Sequence, residues 1–374
     1  MNTTLGSRGG LTALANPQLR IALVAPPQEA VPPAAYGGTE RVIFELIREL
    51  SSRGHEVTLF GAGDSNVPCE LVATVPIALR PANQLEAEQA YMISTVLDVV
   101  KQADRFDLIH AHLEWFSPLL TTLTTTPVAM TFHGRLDYPY AQHLLDYVPH
   151  GMIAISAAQM AAHEDLPGWE GVVHNGLNLS QSPFSEKRSD ALVFVGRISP
   201  EKAAGDAIEI ARRCGRPLKI AAKLPTSERD LEYYEAVFTP AMAGADVEYL
   251  GELSGSDRDR LLAGSYATLM PGSWPEPFGL VAIESLACGT PVIARHVGAL
   301  PEIIRDGVDG FFGDDAAAMA FRIDRVGELD RRAIRESVIG RFSAKRMADA
   351  YERIYMQMLT RGAALTAAAG SEAM

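Results

Sequence analysis

LRIALVAPPQEAVPPAAYGGTERVIFELIRELSSRGHEVTLF, residues 19–60, decides the fold. LRIALVA (19–25) is a short apolar run of the kind buried in a parallel sheet. A Pro-rich loop follows. In the next segment Val42, Leu46 and Leu50 recur at helical spacing, joined by Ile43 and Ile47, and Gly54 stands at the stop. EVTLF (56–60) is then a second strand. Strand, helix and strand in that order predict the start of a doubly wound parallel sheet.

The alternation continues outward. It predicts a helix near 85–103 and strands at FDLIHAH (106–112), PVAMTFH (127–133), HGMIAIS (150–156) and EGVVHNG (170–176). A polar, aperiodic stretch, SQSPFSEKRSD (180–190), reads as a linker. A second series opens at ALVFVG (191–196), with a helix over about 201–213. Strands follow at PLKIAAK (217–223), DVEYLG (246–251), YATLMPG (266–272) and PVIAR (291–295). The fold class expected is α/β, with two Rossmann-like doubly wound parallel-sheet domains. A length of 374 residues agrees with two domains. The last amphipathic segment, 342–361, has no destination that periodicity can supply.

The formal net charge is −13, and residues 1–182 hold 18 Asp and Glu against 9 Lys and Arg, a net of −9. Such a field disfavours nucleic acid and stable membrane association as partners. Cys69, Cys214 and Cys288 are odd in number and widely spaced, and read as small buried side chains, not as a disulfide frame or zinc site. Residues 1–16 are polar and small with no apolar core of a secretory leader, and no run reaches the length of a membrane span. The expectation is a cytoplasmic protein, with 1–16 and 366–374 disordered.

Ligands of open parallel sheets bind beyond the carboxyl ends of the strands, so motifs that follow strands matter most. The most informative is PGSWPEPFGLVAIESLACGTPVIA (271–294). Pro277 and Gly279 are expected to open a helix whose amides near Phe278, Gly279, Leu280 and Val281 suit a diphosphate. Glu284, about one and a half turns in, suits ribose hydroxyls, and Glu276 in the loop lies nearer a reacting sugar. GRISPEKA (196–203) carries Gly196, Arg197 and Lys202. Cations at a helix start oppose the macrodipole, yet they suit a diphosphate leaving group. YGGTE (36–40) offers Gly37 and Gly38 for close backbone approach at a second helix start. His133 ends a strand in FHGRLD (132–137) and is either structural or a substrate contact. His110 and His112 share one side of a strand but lack a third ligand, and read as structural. Asp257 and Asp259 read as ordinary acids of a helix start. Neither G-x-G-x-x-G after the first strand nor a P-loop is present, which weakens dehydrogenase and P-loop readings.

Taken together, YGGTE, GRISPEK, the pair Glu276 and Glu284 in E-x7-E spacing, and VGALPEII (297–304) followed by DGVDGFF (306–312) resemble glycosyltransferase family 4, the retaining enzymes of the GT-B fold. The resemblance runs from about residue 19 to 361. It implies a metal-independent hexosyltransferase using a nucleotide sugar, with UDP-glucose first in expectation and no cofactor. It implies that Arg197 and Lys202 stabilise the departing diphosphate, that Glu276 holds the donor sugar, and that Glu284 binds ribose. Gly38 would contact the phosphates and His133 the sugar. It also implies a discontinuous first domain, 17–182 plus 343–365, around a donor domain, 183–342. Lys223 stands where many relatives carry a Gly-rich turn, and is either an added donor contact or a surface lysine. The Pro-rich loop and HGRLD resemble a bacterial subset that includes glycosylators of antibiotics and pterins, so a small soluble acceptor is expected. Tyr36, Trp115, Arg135 and Asp137 are candidates for its wall. The competing readings are a nucleotide-sugar epimerase or other GT-B enzyme, and a non-catalytic sugar-nucleotide-binding protein. The oligomeric state stays open.

Overall fold

The computed structural model describes residues 17–34 and 37–372. The expected disorder of residues 1–16 and the candidate Tyr36 lie outside them.

The first sheet contains β1 (Arg20–Val24), β2 (Glu56–Ala62), β3 (Glu70–Val75), β4 (Leu108–Ala111), β5 (Val128–Thr131), β6 (Met152–Ala154) and β7 (Trp169–Val172). Their order across the sheet is β3-β2-β1-β4-β5-β6-β7, all parallel. The second contains β8 (Leu192–Arg197), β9 (Leu218–Lys223), β10 (Val247–Gly251), β11 (Thr268–Met270), β12 (Val292–Ala294) and β13 (Gly310–Phe312). Their order is β10-β9-β8-β11-β12-β13, again all parallel. Both sheets are covered by helices on their two faces, so central strands are buried outright; four of the five residues of β1 are inaccessible. Helix Gly38–Ser52 turns Val42, Ile43, Leu46, Ile47 and Leu50 onto the first sheet, as its spacing predicts.

Two strands escaped the sequence reading. β3, ELVATV, is an edge strand in which only Val75 is buried. β13 is three residues long and begins with Gly310, where any Cβ would lie 1.8 Å from the Val292 carbonyl oxygen. Two helix starts also shift. The donor-loop helix is Leu280–Ala287, with Gly279 as its cap and Pro277 still in the loop. The helix after β8 is Ala204–Cys214, so Lys202 lies in the turn before it and not in its first turn.

The order reverses between β1 and β4 in one sheet and between β8 and β11 in the other. These switch points open crevices at the carboxyl ends of the strands. YGGTE, FHGRLD, GRISPEKA and the Glu276 loop each leave a strand's carboxyl end. The chain passes between the sheets at a 3₁₀ turn, Leu179–Gln181, and returns beside it: Leu177 N donates to the Phe342 oxygen at 3.1 Å, and Ala344 N to the Leu177 oxygen at 3.0 Å. Helix Ala344–Glu372 then packs on helix Gly38–Ser52 and on the first sheet. Its Tyr351 and Tyr355 are fully buried there, and Glu352 accepts from His55 at 2.8 Å. The expected disorder from 366 differs from the backbone, which stays helical to Glu372; the run AALTAAA favours helix intrinsically.

Candidate active site

A cavity of about 920 Å³ separates the carboxyl edges of the two sheets. Gly37, Gly38, Trp115, His133 and Arg135 line it from the first sheet's loops. Gly196, Arg197, Lys202, Lys223, Glu276, Phe278, Gly279, Leu280, Val281 and Glu284 line it from the second. Of the sequence candidates, Asp137 alone among the described residues stays off the wall; it is exposed and clasps Arg135, donor Nε to Oδ1 at 2.6 Å.

The two helix starts face each other. A Cβ placed on Gly38 would stand 3.0 Å from Leu280 Cδ1, so the first turns of Gly38–Ser52 and Leu280–Ala287 nearly touch across the cleft. The first-turn amides of a helix have no intrahelical partners, and the dipole adds positive potential. Gly279 sits at φ 108°, a conformation that favours glycine, and a Cβ there would meet Leu300 at 2.9 Å.

The loop carrying Glu276 is held from several sides. Gly298, at φ 54°, lies under it so closely that a Cβ would stand 2.4 Å from the Glu276 backbone, and Ala299 N donates to the Glu276 oxygen at 2.9 Å. Arg295 Nε donates to the Pro271 oxygen at 2.7 Å. From the first sheet, Ser156 Oγ donates to the Pro277 oxygen at 2.7 Å. The Glu276 carboxylate pairs with the Lys202 ammonium and accepts from Trp274 Nε1 at 3.2 Å. Lys202 also lies over the Trp274 ring, 5.1 Å from its centroid. Arg197 has only a loose partner, Asp230 at 3.7 Å, and Lys223 another, Glu252 at 3.8 Å. Arg197, Lys202 and Lys223 therefore bring three cations to the cleft.

Glu284 is buried, its side chain 6% exposed, between the guanidinium groups of Arg41 and Arg258, the latter at 3.0 Å. Arg41 comes from the first sheet's helix and Arg258 from helix Gly255–Gly264 in the second. Neither arginine was singled out in the sequence. In SGSDRDRLL the cap is Ser254, whose Oγ accepts from Asp257 N at 3.3 Å, and Asp257 pairs with Arg260.

On the opposite wall, Glu114 follows β4 in the left-handed region at φ 46°. Its Oε1 accepts from the amides of His133 and Gly134, at 2.9 and 3.1 Å. Burial nevertheless pushes its carboxyl up to about 7. Gln159 Nε2 donates to the oxygens of Phe132, at 3.0 Å, and Gly134, at 2.6 Å, so the HGR turn is fixed on both sides. The Arg135 guanidinium lies over Tyr138 and over Trp274, at 5.1 and 5.4 Å, touching both halves of the cleft. Trp115 meets Tyr140 edge-on at 5.5 Å. His110 is spent on Tyr355 and Thr131, at 2.7 and 2.8 Å, whereas His112 Nδ1 meets His133 Nε2 at 2.9 Å. Glu114 and Gln159 have no sequence signal beyond their place after strands, and His112, read with His110 as structural, instead meets His133.

A further contact also ties the halves together. Glu302 accepts from the amides of Ala157 and Ala158, at 3.0 and 2.8 Å, and from His174 Nε2 at 2.8 Å. Burial would raise its carboxyl, but these donors outweigh it and hold it below the usual range.

Comparison with known proteins agrees with this architecture. Residues 36–181 match the family described as Glycosyltransferase Family 4, and residues 178–337 match Glycosyl transferases group 1. The chain is 26% identical over 350 residues to a phosphatidyl-myo-inositol mannosyltransferase of Propionibacterium freudenreichii subsp. shermanii, covering 85% of this chain and 86% of that one. It is 25% identical over 345 residues to a D-inositol 3-phosphate glycosyltransferase of Mycobacterium leprae, covering 78% and 80%. Among solved structures, AviGT4, a glycosyltransferase involved in avilamycin A biosynthesis, superposes with a TM-score of 0.67 at 26% identity, over 91% of this chain and 98% of that one. Sucrose-phosphate synthase of Thermosynechococcus elongatus shares the fold, with a TM-score of 0.73 at 20% identity over 92% and 100%. Two parallel sheets joined at a cleft, and family matches that run from residue 36 to 337, identify the chain as a glycosyltransferase of family 4 with the GT-B fold.

Proposed function

We propose that the protein is a retaining glycosyltransferase that moves a hexosyl group, glucose from UDP-glucose in the first instance, to a small soluble acceptor. The observation that carries this reading is the grouping of Arg197, Lys202 and the Leu280–Ala287 helix start beside Glu276 in one cleft. A diphosphate at the helix start would draw on the amides and on both cations. Fixed cations and dipoles aimed at the leaving group supply charge stabilisation without a divalent ion. Glu276 would hold the transferring sugar and Glu284 the ribose. The bond from the anomeric carbon to the phosphate oxygen breaks, and its electron pair leaves with the diphosphate. The acceptor oxygen attacks from the same face, and its proton passes to the departing diphosphate. Configuration is thereby retained.

The acceptor would rest against Trp115, Arg135 and the Tyr138–Tyr140 segment, where stacked tyrosine rings lie 5.3 Å apart. A relative named for D-inositol 3-phosphate, and a neighbour from antibiotic assembly, support a small hydroxylated acceptor. The acidic first half of the chain disfavours a lipid surface.

The test is nucleotide release from a panel of UDP-, GDP- and ADP-sugars, with EDTA and mixed small acceptors. Release from one UDP-sugar supports the reading. Release from a GDP- or ADP-sugar corrects the donor. Nucleotide binding without turnover on any acceptor favours a binding protein.

A further inference from the structure

His112 and His133 share one hydrogen bond, and the surroundings decide who donates. His112 is wholly inaccessible, and its Nδ1 faces His133 Nε2 at 2.9 Å. Its other nitrogen, Nε2, is buried with no hydrogen-bond partner among the described residues. His133 is half-buried and lines the cleft. Its Nε2 is turned inward to His112, so Nδ1 is the nitrogen left for the cleft.

Both rings are neutral near pH 7. Burial pushes His133 down to about 4 and His112 well below its ordinary value. Each ring then carries a single proton, and two arrangements are possible. In one, His133 donates from Nε2, and the proton of His112 must sit on its partnerless Nε2. That leaves a buried N–H with nothing to accept it. In the other, His112 donates from Nδ1, and its Nε2 is a bare lone pair. Orphaned buried donors are rarer than under-used acceptors, so the second arrangement is favoured. His110 cannot relieve the first, because Tyr355 and Thr131 occupy both its nitrogens.

We infer that His112 is a positioning residue that sets the tautomer of His133, so that His133 presents an Nδ1–H donor to the cleft and not a basic nitrogen. His133 then gives a hydrogen bond to an oxygen of the bound sugar or its phosphate, and it does not remove the acceptor's proton. This rests on the cleft being the transfer site proposed above.

The experiment is ¹⁵N-histidine labelling of the full chain and long-range ¹H–¹⁵N correlation at pH 7. His112→Asn and His133→Gln assign the signals. The expected spectrum has His133 protonated at Nδ1 and bare at Nε2, with His112 in the same tautomer. Protonation of His133 at Nε2, or at both nitrogens, overturns the inference. Kinetics supply a second reading. The amide of His112→Asn can still donate toward His133, and it keeps kcat within about threefold. His112→Leu cannot, and it lowers kcat about tenfold or more with nucleotide affinity unchanged. Equal effects of the two substitutions overturn it. Should no donor be turned over while the expected tautomer is seen, the transfer reading fails alone. Should turnover occur with the opposite tautomer, the inference fails alone.

Discussion

The Lys202 ammonium rests on Glu276 Oε2, joining the loop after β8 to the loop after β11. Trp274 Nε1 donates to the same oxygen at 3.2 Å, so the carboxylate is aimed by two partners. The proposed place of Glu276 at the transferring sugar, not at the nucleotide, gives a test. Glu276→Gln is expected to cut turnover about a hundredfold and to change nucleotide affinity less than about threefold. Steady-state rates beside calorimetry with UDP measure the two. Equal losses contradict the placement of Glu276 at the sugar.

Arg197 and Lys202 are proposed to stabilise the leaving diphosphate. Arg197 is only loosely paired, with Asp230 at 3.7 Å, and so is ready to take a phosphate oxygen. The double variant Arg197→Ala, Lys202→Ala should lose transfer entirely, and millimolar Mg²⁺ should not restore it. Full rescue by the ion would show that any cation near the phosphates suffices, and it would sink the role of the fixed pair.

Glu284 joins the two halves of the molecule through Arg41 and pairs with Arg258 within its own half. Removing one partner from a buried ion pair leaves a charge poorly compensated. Arg258→Ala should therefore lower stability by about 1–3 kcal/mol, below the full buried-pair cost because Arg41 remains. Glu284→Gln should weaken nucleotide binding about tenfold, as expected for a lost charged hydrogen-bond acceptor. Thermal melts and calorimetry separate the two effects. An unchanged melt in Arg258→Ala would mean the carboxylate is solvated in solution.

The parts legible in the sequence were those carried by local pattern. Buried parallel strands are continuous apolar runs, and the glycine-rich turns follow them, so the sheets and the cleft-lining motifs could be read. The parts that were not legible depend on register. Ala111 of β4 lies beside Met130 of β5, which brings His112 and His133 together although they are 21 residues apart. Nothing local announces that pairing. Arg41 and Arg258 were equally silent, since each is one arginine among many on a helix until Glu284 is placed between them. Lys202 was placed one turn too late because the sequence does not reveal the left-handed Ala203, at φ 54°, that delays the helix.

Glu114 supplies a pH test of the opposite wall. Burial raises its carboxyl from the ordinary 4.5 to about 7, against the two amide bonds that favour the charged form. Between those values the folded chain keeps a proton that the unfolded chain has lost. Fewer protons bound in the unfolded state mean that stability falls as pH rises. Glu114→Gln keeps an oxygen for the amides of His133 and Gly134 and has no proton to lose. Relative to that variant, the wild type should lose stability between about pH 5 and pH 8, by at most about 3 kcal/mol for a shift of this size. Melting curves of both proteins across the window measure the gap, which should widen with pH by several degrees. A gap that stays constant, or narrows, would mean that the carboxyl is ionised in the folded protein throughout, and that the HGR turn is held by a charge.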